Sequence, residues 1–103
     1  MPKGYVILTE SIKDPAGIAA YGRAAAPSLA ENGGRVLAAD PAPEVLEGDW
    51  HGNQTVVLEF ESVEAARAWY ASDAYTRARP LRQAAADTNA VIVSGLTLPP
   101  TAR

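Results

Sequence analysis

Cysteine is absent from this chain of 103 residues. Its absence excludes a disulfide framework, a thiolate metal site, an iron–sulfur cluster and a cysteine nucleophile. A chain of about 100 residues buries enough surface to fold without such cross-links. We therefore expect one domain in a reducing compartment.

The chain also lacks a strong charge of either sign and a long apolar run. Twelve acidic and nine basic residues give a net charge of −3, which has the wrong sign for a nucleic-acid surface. Nowhere do about 18 apolar residues follow one another, and the first residues do not form a signal-peptide pattern. We expect a cytoplasmic protein with neither a nucleic-acid nor a membrane partner.

Histidine is scarce, because His51 is the only one. A catalytic divalent ion requires several histidines or a cluster of inward-facing carboxylates, and neither pattern is present. No glycine-rich loop followed by lysine is available to hold a phosphate. The sequence predicts no metal and no cofactor.

What the chain does contain is an alternation of strand and helix patterns. β-Branched and aromatic residues predict strands at 4–9, 35–39, 54–61 and 89–96. Residues 44–50 are expected to resume an extended segment, which forms a hairpin with the third strand through a turn at 51–53.

Two helices connect the strands. Asp14 is the predicted N-cap of the first, which runs from Pro15 to about Glu31 with a kink or break at 24–27, because Pro27 removes a backbone hydrogen bond. Ser62 caps the second, and its core stripe is expected to contain Ala66, Trp69 and Tyr70. A further helical turn is expected at 72–75, and a separate short helix is expected to begin at Pro80.

The order strand, helix, strand, strand, helix, strand predicts an α+β, ferredoxin-like βαββαβ fold with a four-stranded antiparallel sheet. Residues 1–96 form the single domain in this prediction, and residues 97–103 a flexible C-terminal tail.

Both faces of the predicted sheet are apolar. The first strand alternates Tyr5 and Ile7 with Val6 and Leu8, and residues 91–93 are apolar without a break. Two helices on one side leave the other side bare, and a bare apolar face of that size promotes aggregation. We expect a second copy to cover it, which pairs two sheets into a dimeric α/β barrel.

Several short motifs support this fold by resemblance. They are Lys3-Gly4-Tyr5, Asp14-Pro15 with Tyr21, Gly33-Gly34-Arg35, Leu46-Glu47-Gly48-Asp49-Trp50, Leu58-Glu59-Phe60, and Ala68-Trp69-Tyr70 with Ser72 and Tyr75. As a set they resemble the domain of unknown function family 1330, within the dimeric α/β-barrel superfamily. The resemblance implies a ferredoxin-like protomer and a barrel-forming homodimer, and it implies no activity. The superfamily includes cofactor-independent oxygenases, isomerases and haem-dependent enzymes.

Three residues are candidates for catalysis. Glu59 lies in the third strand on the face opposite Leu58, so it is expected to point into the dimer interior, where it needs a partner. Arg35 on the paired strand fits that need, either as a salt bridge that fixes register or as a group that orients a ligand beside a catalytic carboxylate. His51 is the remaining candidate, either as a catalytic base or haem ligand or as a polar turn residue with no catalytic part.

Aromatic residues are the candidates for ligand binding. Trp69, Tyr70 and Tyr75, with Tyr21 on the first helix, form either a core stripe or the wall of a pocket for a small, mostly apolar molecule. Three arginines at positions 77, 79 and 82 are interpreted as a solvated or anion-facing edge.

The sequence predicts an uncharacterised homodimer that binds a small organic molecule near Tyr21, Arg35, Glu59, Trp69 and Tyr75. One alternative is a cofactor-independent oxygenase or isomerase that acts on an aromatic or enol substrate, with Glu59 or His51 as base. Another is a non-catalytic dimeric module. The abundance of alanine and the preference for arginine over lysine indicate a bacterium with a GC-rich genome.

Overall fold

The structure is a computed structural model that describes residues 2–97. Its elements are β1 (Gly4–Ile12), α1 (Pro15–Glu31), β2 (Arg35–Asp40), β3 (Gln54–Phe60), α2 (Val63–Ala71), α3 (Asp73–Ala85) and β4 (Ala86–Ser94). The strands form one antiparallel sheet in the order β2-β3-β1-β4. This is the ferredoxin-like α+β fold that the sequence predicts. Most of the tail predicted at 97–103 lies outside the described residues.

The helices cover one side of the sheet. Along β1, Val6 and Leu8 are buried against them, and the same side of β3 contributes Leu58 and Phe60 to the core. Val56 packs against this core. The alternation read from the sequence is therefore confirmed in both central strands.

The core is built around aromatic rings. Trp69 of α2 has its ring centre 4.1 Å from that of Tyr75 and 5.4 Å from that of Phe60. Ala66 completes the buried stripe of α2, but Tyr70 is 36% exposed. Tyr70 lies at the rim of the core, so its predicted place inside the core is wrong.

Both internal prolines are accommodated within continuous helices. α1 runs unbroken through Pro27, and α3 begins at Asp73 and contains Pro80 in its interior. The prediction of a helix that begins at Pro80 is therefore wrong, and of the kink or break predicted at 24–27 the break is absent. Both prolines are exposed, so the carbonyl that each leaves without a partner can bond to water, which lowers the penalty.

The long connection between β2 and β3 is irregular. Residues 44–50, which the sequence predicts to be extended, contribute no strand, and β2 itself pairs with β3 through a register shift between Val36 and Ala38. None of the helices among residues 2–97 is long and apolar enough to cross a membrane.

The other side of the sheet has no helix. It carries apolar side chains at its centre, as predicted, and Val91 of β4 is 53% exposed there. Its neighbours across the strands are Ile7 and Val57, with Tyr5 and Val93 one step along. We call these five residues the helix-free face.

Candidate functional site

A cleft of about 260 Å³ lies between α1 and the helix-covered side of the sheet. Strands β1, β2 and β3 form its floor, and α1 forms its roof. Its walls are almost entirely apolar and include Leu8, Ile18, Ala25, Leu29, Val36 and Val56. An apolar cleft with few polar groups is the common form of a small-molecule site.

Small residues on α1 keep this cleft open. Gly22, Ala25 and Ala26 all line it, and a Cβ added at Gly22 would meet no atom within 4 Å. Glycine inside a helix costs roughly 1 kcal/mol relative to alanine. A side chain at Gly22 would therefore cause no clash and would favour the helix.

Glu10 is the carboxylate of the cleft. It continues the alternation of Val6 and Leu8 toward the helices, so it is only 3% exposed. Gln54, its partner on β3, donates from Nε2 to Glu10 Oε1 at 2.9 Å.

The turn at 51–53 holds the backbone of Glu10 in place. Asn53 N–H donates to the carbonyl of Glu10 at 2.9 Å. Gly52 has a φ of 79° and its Cα faces the backbone of Glu10, where any Cβ would collide. Only glycine satisfies both conditions, so this turn serves to position the end of β1.

A chain of hydrogen bonds crosses from α3 to the cleft. Arg82 Nε donates to the hydroxyl of Tyr75 at 3.2 Å, and the hydroxyls of Tyr75 and Tyr21 are 2.9 Å apart. Tyr75 is 0% and Arg82 only 4% exposed. Burial, with smaller contributions from Tyr75 and Glu10, raises the pKa of Tyr21 above its usual range. Tyr21 lines the cleft as a neutral phenol.

Trp69 closes the inner wall of the cleft. Its Nε1–H donates to Ser28 Oγ at 3.1 Å, and Ser28 Oγ donates to the carbonyl of Ala25 at 2.6 Å. The indole is therefore fixed between α1 and the sheet, which makes this wall rigid.

Glu59 lies on the opposite side of the sheet. Its Oε1 accepts from Arg35 Nε at 2.8 Å, and its Oε2 accepts from the Tyr5 hydroxyl at 3.1 Å. Burial acts to raise the pKa of Glu59, but the hydrogen bonds from Arg35 and Tyr5 outweigh it and hold the pKa below its usual value. The pairing of Glu59 with Arg35 inferred from the sequence is present.

His51 also belongs to that side. Its Nδ1 is 2.8 Å from Thr9 Oγ1, and its Nε2 is 3.7 Å from Asp87 Oδ2. Thr9 faces away from the helices, because it alternates with Leu8 and Glu10. His51 is therefore separated from the cleft by the sheet.

The structure thus divides the predicted site residues into two groups. Tyr21 and Trp69 line the cleft, Tyr75 supports it from behind, and Tyr70 is not part of its wall. Arg35, Glu59 and His51 lie beyond the sheet. Within one protomer the two groups do not share a cavity, because strand alternation places them on opposite faces of the sheet.

Three polar residues of this region were missed from the sequence. The sequence pattern ends the first strand at Thr9, which leaves Glu10 outside the alternation, and Gln54 lies in the predicted third strand without an assigned partner. Arg82 was interpreted as part of a solvated edge, but it is buried in line with Tyr75, Ala78 and Ala85. That helical spacing was hidden by the predicted break at Pro80. No group of three metal-ligating side chains occurs within residues 2–97.

The family model "Domain of unknown function (DUF1330)" matches residues 3–96. The chain belongs to this family. Among curated proteins, none matches this DUF1330 chain.

Solved structures resemble the DUF1330 chain over nearly its whole length. RPA0582 of Rhodopseudomonas palustris, a protein of unknown function, is 24% identical with a TM-score of 0.74, over 94% of this chain and 85% of that one. SnoaB, a cofactor-independent oxygenase from Streptomyces nogalater, is 12% identical with a TM-score of 0.67, over 97% of this chain and 99% of that one. An antibiotic biosynthesis monooxygenase is 19% identical with a TM-score of 0.56, over 93% of this chain and 99% of that one. At such identities the likeness shows the fold alone.

Proposed function

We propose that this DUF1330 protein binds a small, mostly apolar organic molecule in the cleft between α1 and the sheet. The observation that carries the proposal is an apolar cleft of about 260 Å³ that ends at the buried carboxylate of Glu10. A dry cavity of about 150 Å³ already holds benzene. A substituted ring therefore fits this cleft.

The burial of Glu10 supports a role in binding. Carboxylates are seldom buried without a cationic partner, because the loss of hydration costs several kcal/mol. Within the described residues Glu10 forms no ion pair and has Gln54 as its side-chain partner. A bound molecule with a hydrogen-bond donor would satisfy the carboxylate.

Native mass spectrometry of protein purified gently from its own host tests this function. We expect a retained organic mass in the wild type and its loss in Gly22→Leu, because this substitution adds a large side chain at a residue that lines the cleft. The same substitution should raise the melting temperature of the ligand-free protein, since leucine favours helix over glycine.

Ala24→Leu is the matched control, because Ala24 is an exposed residue of α1 outside the cleft. It should retain the mass seen in the wild type. Equal retention by Gly22→Leu and Ala24→Leu, or no retained mass in any of the three proteins, contradicts binding in this cleft.

A second candidate function is catalysis without a cofactor, by an oxygenase or isomerase that acts on an aromatic or enol substrate. A carboxylate that faces an apolar cleft favours it, since such a group can accept a proton from a bound hydroxyl. Glu10 then takes the part of base that the sequence assigned to Glu59 or His51. SnoaB, which is a cofactor-independent oxygenase, lends this candidate support at the level of fold only.

We also propose that two copies associate through the helix-free face. Its central apolar residues, with Val91 more than half exposed, give the two sheets a surface that water solvates poorly. In such a homodimer Glu59, Arg35 and His51 border the space between the sheets. A non-catalytic dimeric module is the function that remains if no ligand binds.

A further inference from the structure

We propose that Tyr21 and Glu10 select a neutral hydroxyl group on the ligand, because the Arg82–Tyr75–Tyr21 chain fixes the Tyr21 hydroxyl as a donor into the cleft. Tyr21 and Glu10 are specificity-determining residues in this account. Tyr75 and Arg82 are positioning residues. The inference rests on the proposed function, since it concerns a ligand bound in the same cleft.

The direction of the chain follows from what each group can donate. A guanidinium has donors only, so Arg82 Nε must donate to the Tyr75 oxygen. Tyr75 is completely buried, and within residues 2–97 the Tyr21 oxygen is the one acceptor bonded to its hydroxyl. Tyr75 therefore donates to Tyr21, because its proton would otherwise be buried without a partner.

Tyr21 is left with its own proton to donate. That proton points away from Tyr75, and Tyr21 is a wall residue of the cleft. In the described part of the chain, no hydrogen bond joins Tyr21 to Glu10. The donor of Tyr21 is therefore available to a molecule inside the cleft.

Glu10 supplies the complementary acceptor. Gln54 donates to Oε1, whereas Oε2 accepts from no described residue. Both Glu10 and Tyr21 line the cleft. Besides Gln54, the cleft lining thus presents one donor, Tyr21, and one acceptor, Glu10, within an apolar wall.

A neutral hydroxyl matches this pair, since its oxygen accepts from Tyr21 and its proton bonds to Glu10. A hydrocarbon satisfies neither group. A carboxylate on the ligand is repelled by the Glu10 carboxylate and cannot donate to it. The ligand class is therefore a small apolar molecule, one ring or so in size, with an uncharged hydroxyl.

Three probes of similar shape test the selection by titration calorimetry at pH 7. They are 4-methylphenol, p-xylene and 4-methylbenzoate. Hydrogen bonds to charged groups contribute about 1.5–3 kcal/mol, so we expect 4-methylphenol to bind about 10- to 100-fold more tightly than p-xylene. We expect 4-methylbenzoate to bind most weakly.

Variants identify the residues responsible. Tyr21→Phe should reduce the preference for 4-methylphenol over p-xylene about tenfold, and Tyr70→Phe, a tyrosine outside the cleft wall, should leave it unchanged. Glu10→Gln should lower the affinity for 4-methylphenol and raise the affinity for 4-methylbenzoate. Tyr75→Phe should lower the affinity for 4-methylphenol but not for p-xylene, whereas general damage to the fold would lower both.

The outcomes separate the inference from the proposed function. Binding of all three probes with equal affinity, or an unchanged preference in Tyr21→Phe, overturns the inference and leaves the cleft as a binding site. Binding of none of them to the wild type contradicts both. If Tyr75→Phe does not fold, Tyr21→Phe and Glu10→Gln still test whether these two residues select a hydroxyl group.

Discussion

Glu10 and Glu59 face opposite sides of the sheet, and their surroundings differ accordingly. Glu59 accepts from Arg35 and Tyr5, which satisfy its charge. Glu10 has the neutral Gln54 alone as its side-chain donor within residues 2–97. Glu59, which is already paired, suits a structural role. Glu10, whose Oε2 accepts no hydrogen bond from a described residue, suits ligand binding.

The pairing of Glu59 predicts a pH effect on stability. Its pKa in the folded protein lies below the ordinary value of 4.5, so the folded state is stabilised at pH above 4.5, and this stabilisation is lost as the pH falls through the lower folded-state pKa. We expect Glu59→Gln to have a lower melting temperature than the wild type at pH 7 and a smaller further decrease below pH 4.5.

Glu31→Gln is the control, because Glu31 is exposed and has no side-chain hydrogen bond in the described chain. Plots of melting temperature against pH, between pH 3 and pH 7, should be parallel for Glu31→Gln and the wild type. A plot for Glu59→Gln that is parallel to both would mean that the pairing with Arg35 and Tyr5 does not stabilise the fold.

Among the elements, α3 limited what the sequence could predict about the site. Its buried stripe of Tyr75, Ala78, Arg82 and Ala85 follows helical spacing, but Pro80 interrupts the pattern and favoured a break. Because Pro80 is exposed, tertiary packing of the stripe outweighs the cost of the missing hydrogen bond. The donor chain of Arg82 and Tyr75 could therefore not be recognised from the sequence.

The strands were easier to predict than the helices. Alternation in β1 and β3 placed Leu58 and Glu59 on the correct faces, and it anticipated the contact of Glu59 with Arg35. The end of β1 was missed, since Glu10 is a charged residue at a position where apolar residues are expected. The residue that departs from the pattern is the one at the polar end of the cleft.

In the molecule as a whole, the sheet separates the cleft from the helix-free face, for which we propose different roles. If the proposed homodimer forms, we expect Val91→Asp to convert it into a monomer in light scattering coupled to gel filtration, because a charge at the centre of the helix-free face cannot be buried unpaired. Leu81→Asp, at an exposed apolar residue of α3, should remain dimeric. A monomeric wild type at micromolar concentration contradicts association through this face.

Nuclear magnetic resonance can locate a bound ring on one side of the sheet or the other. Leu8 and Val56 line the cleft, whereas their chain neighbours Ile7 and Val57 belong to the helix-free face. With 4-methylphenol at saturation, binding in the cleft should give intermolecular nuclear Overhauser effects from the ring protons to the methyl groups of Leu8 and Val56. Contacts to Ile7 and Val57 alone would place the ligand on the helix-free face and rule out binding in the cleft.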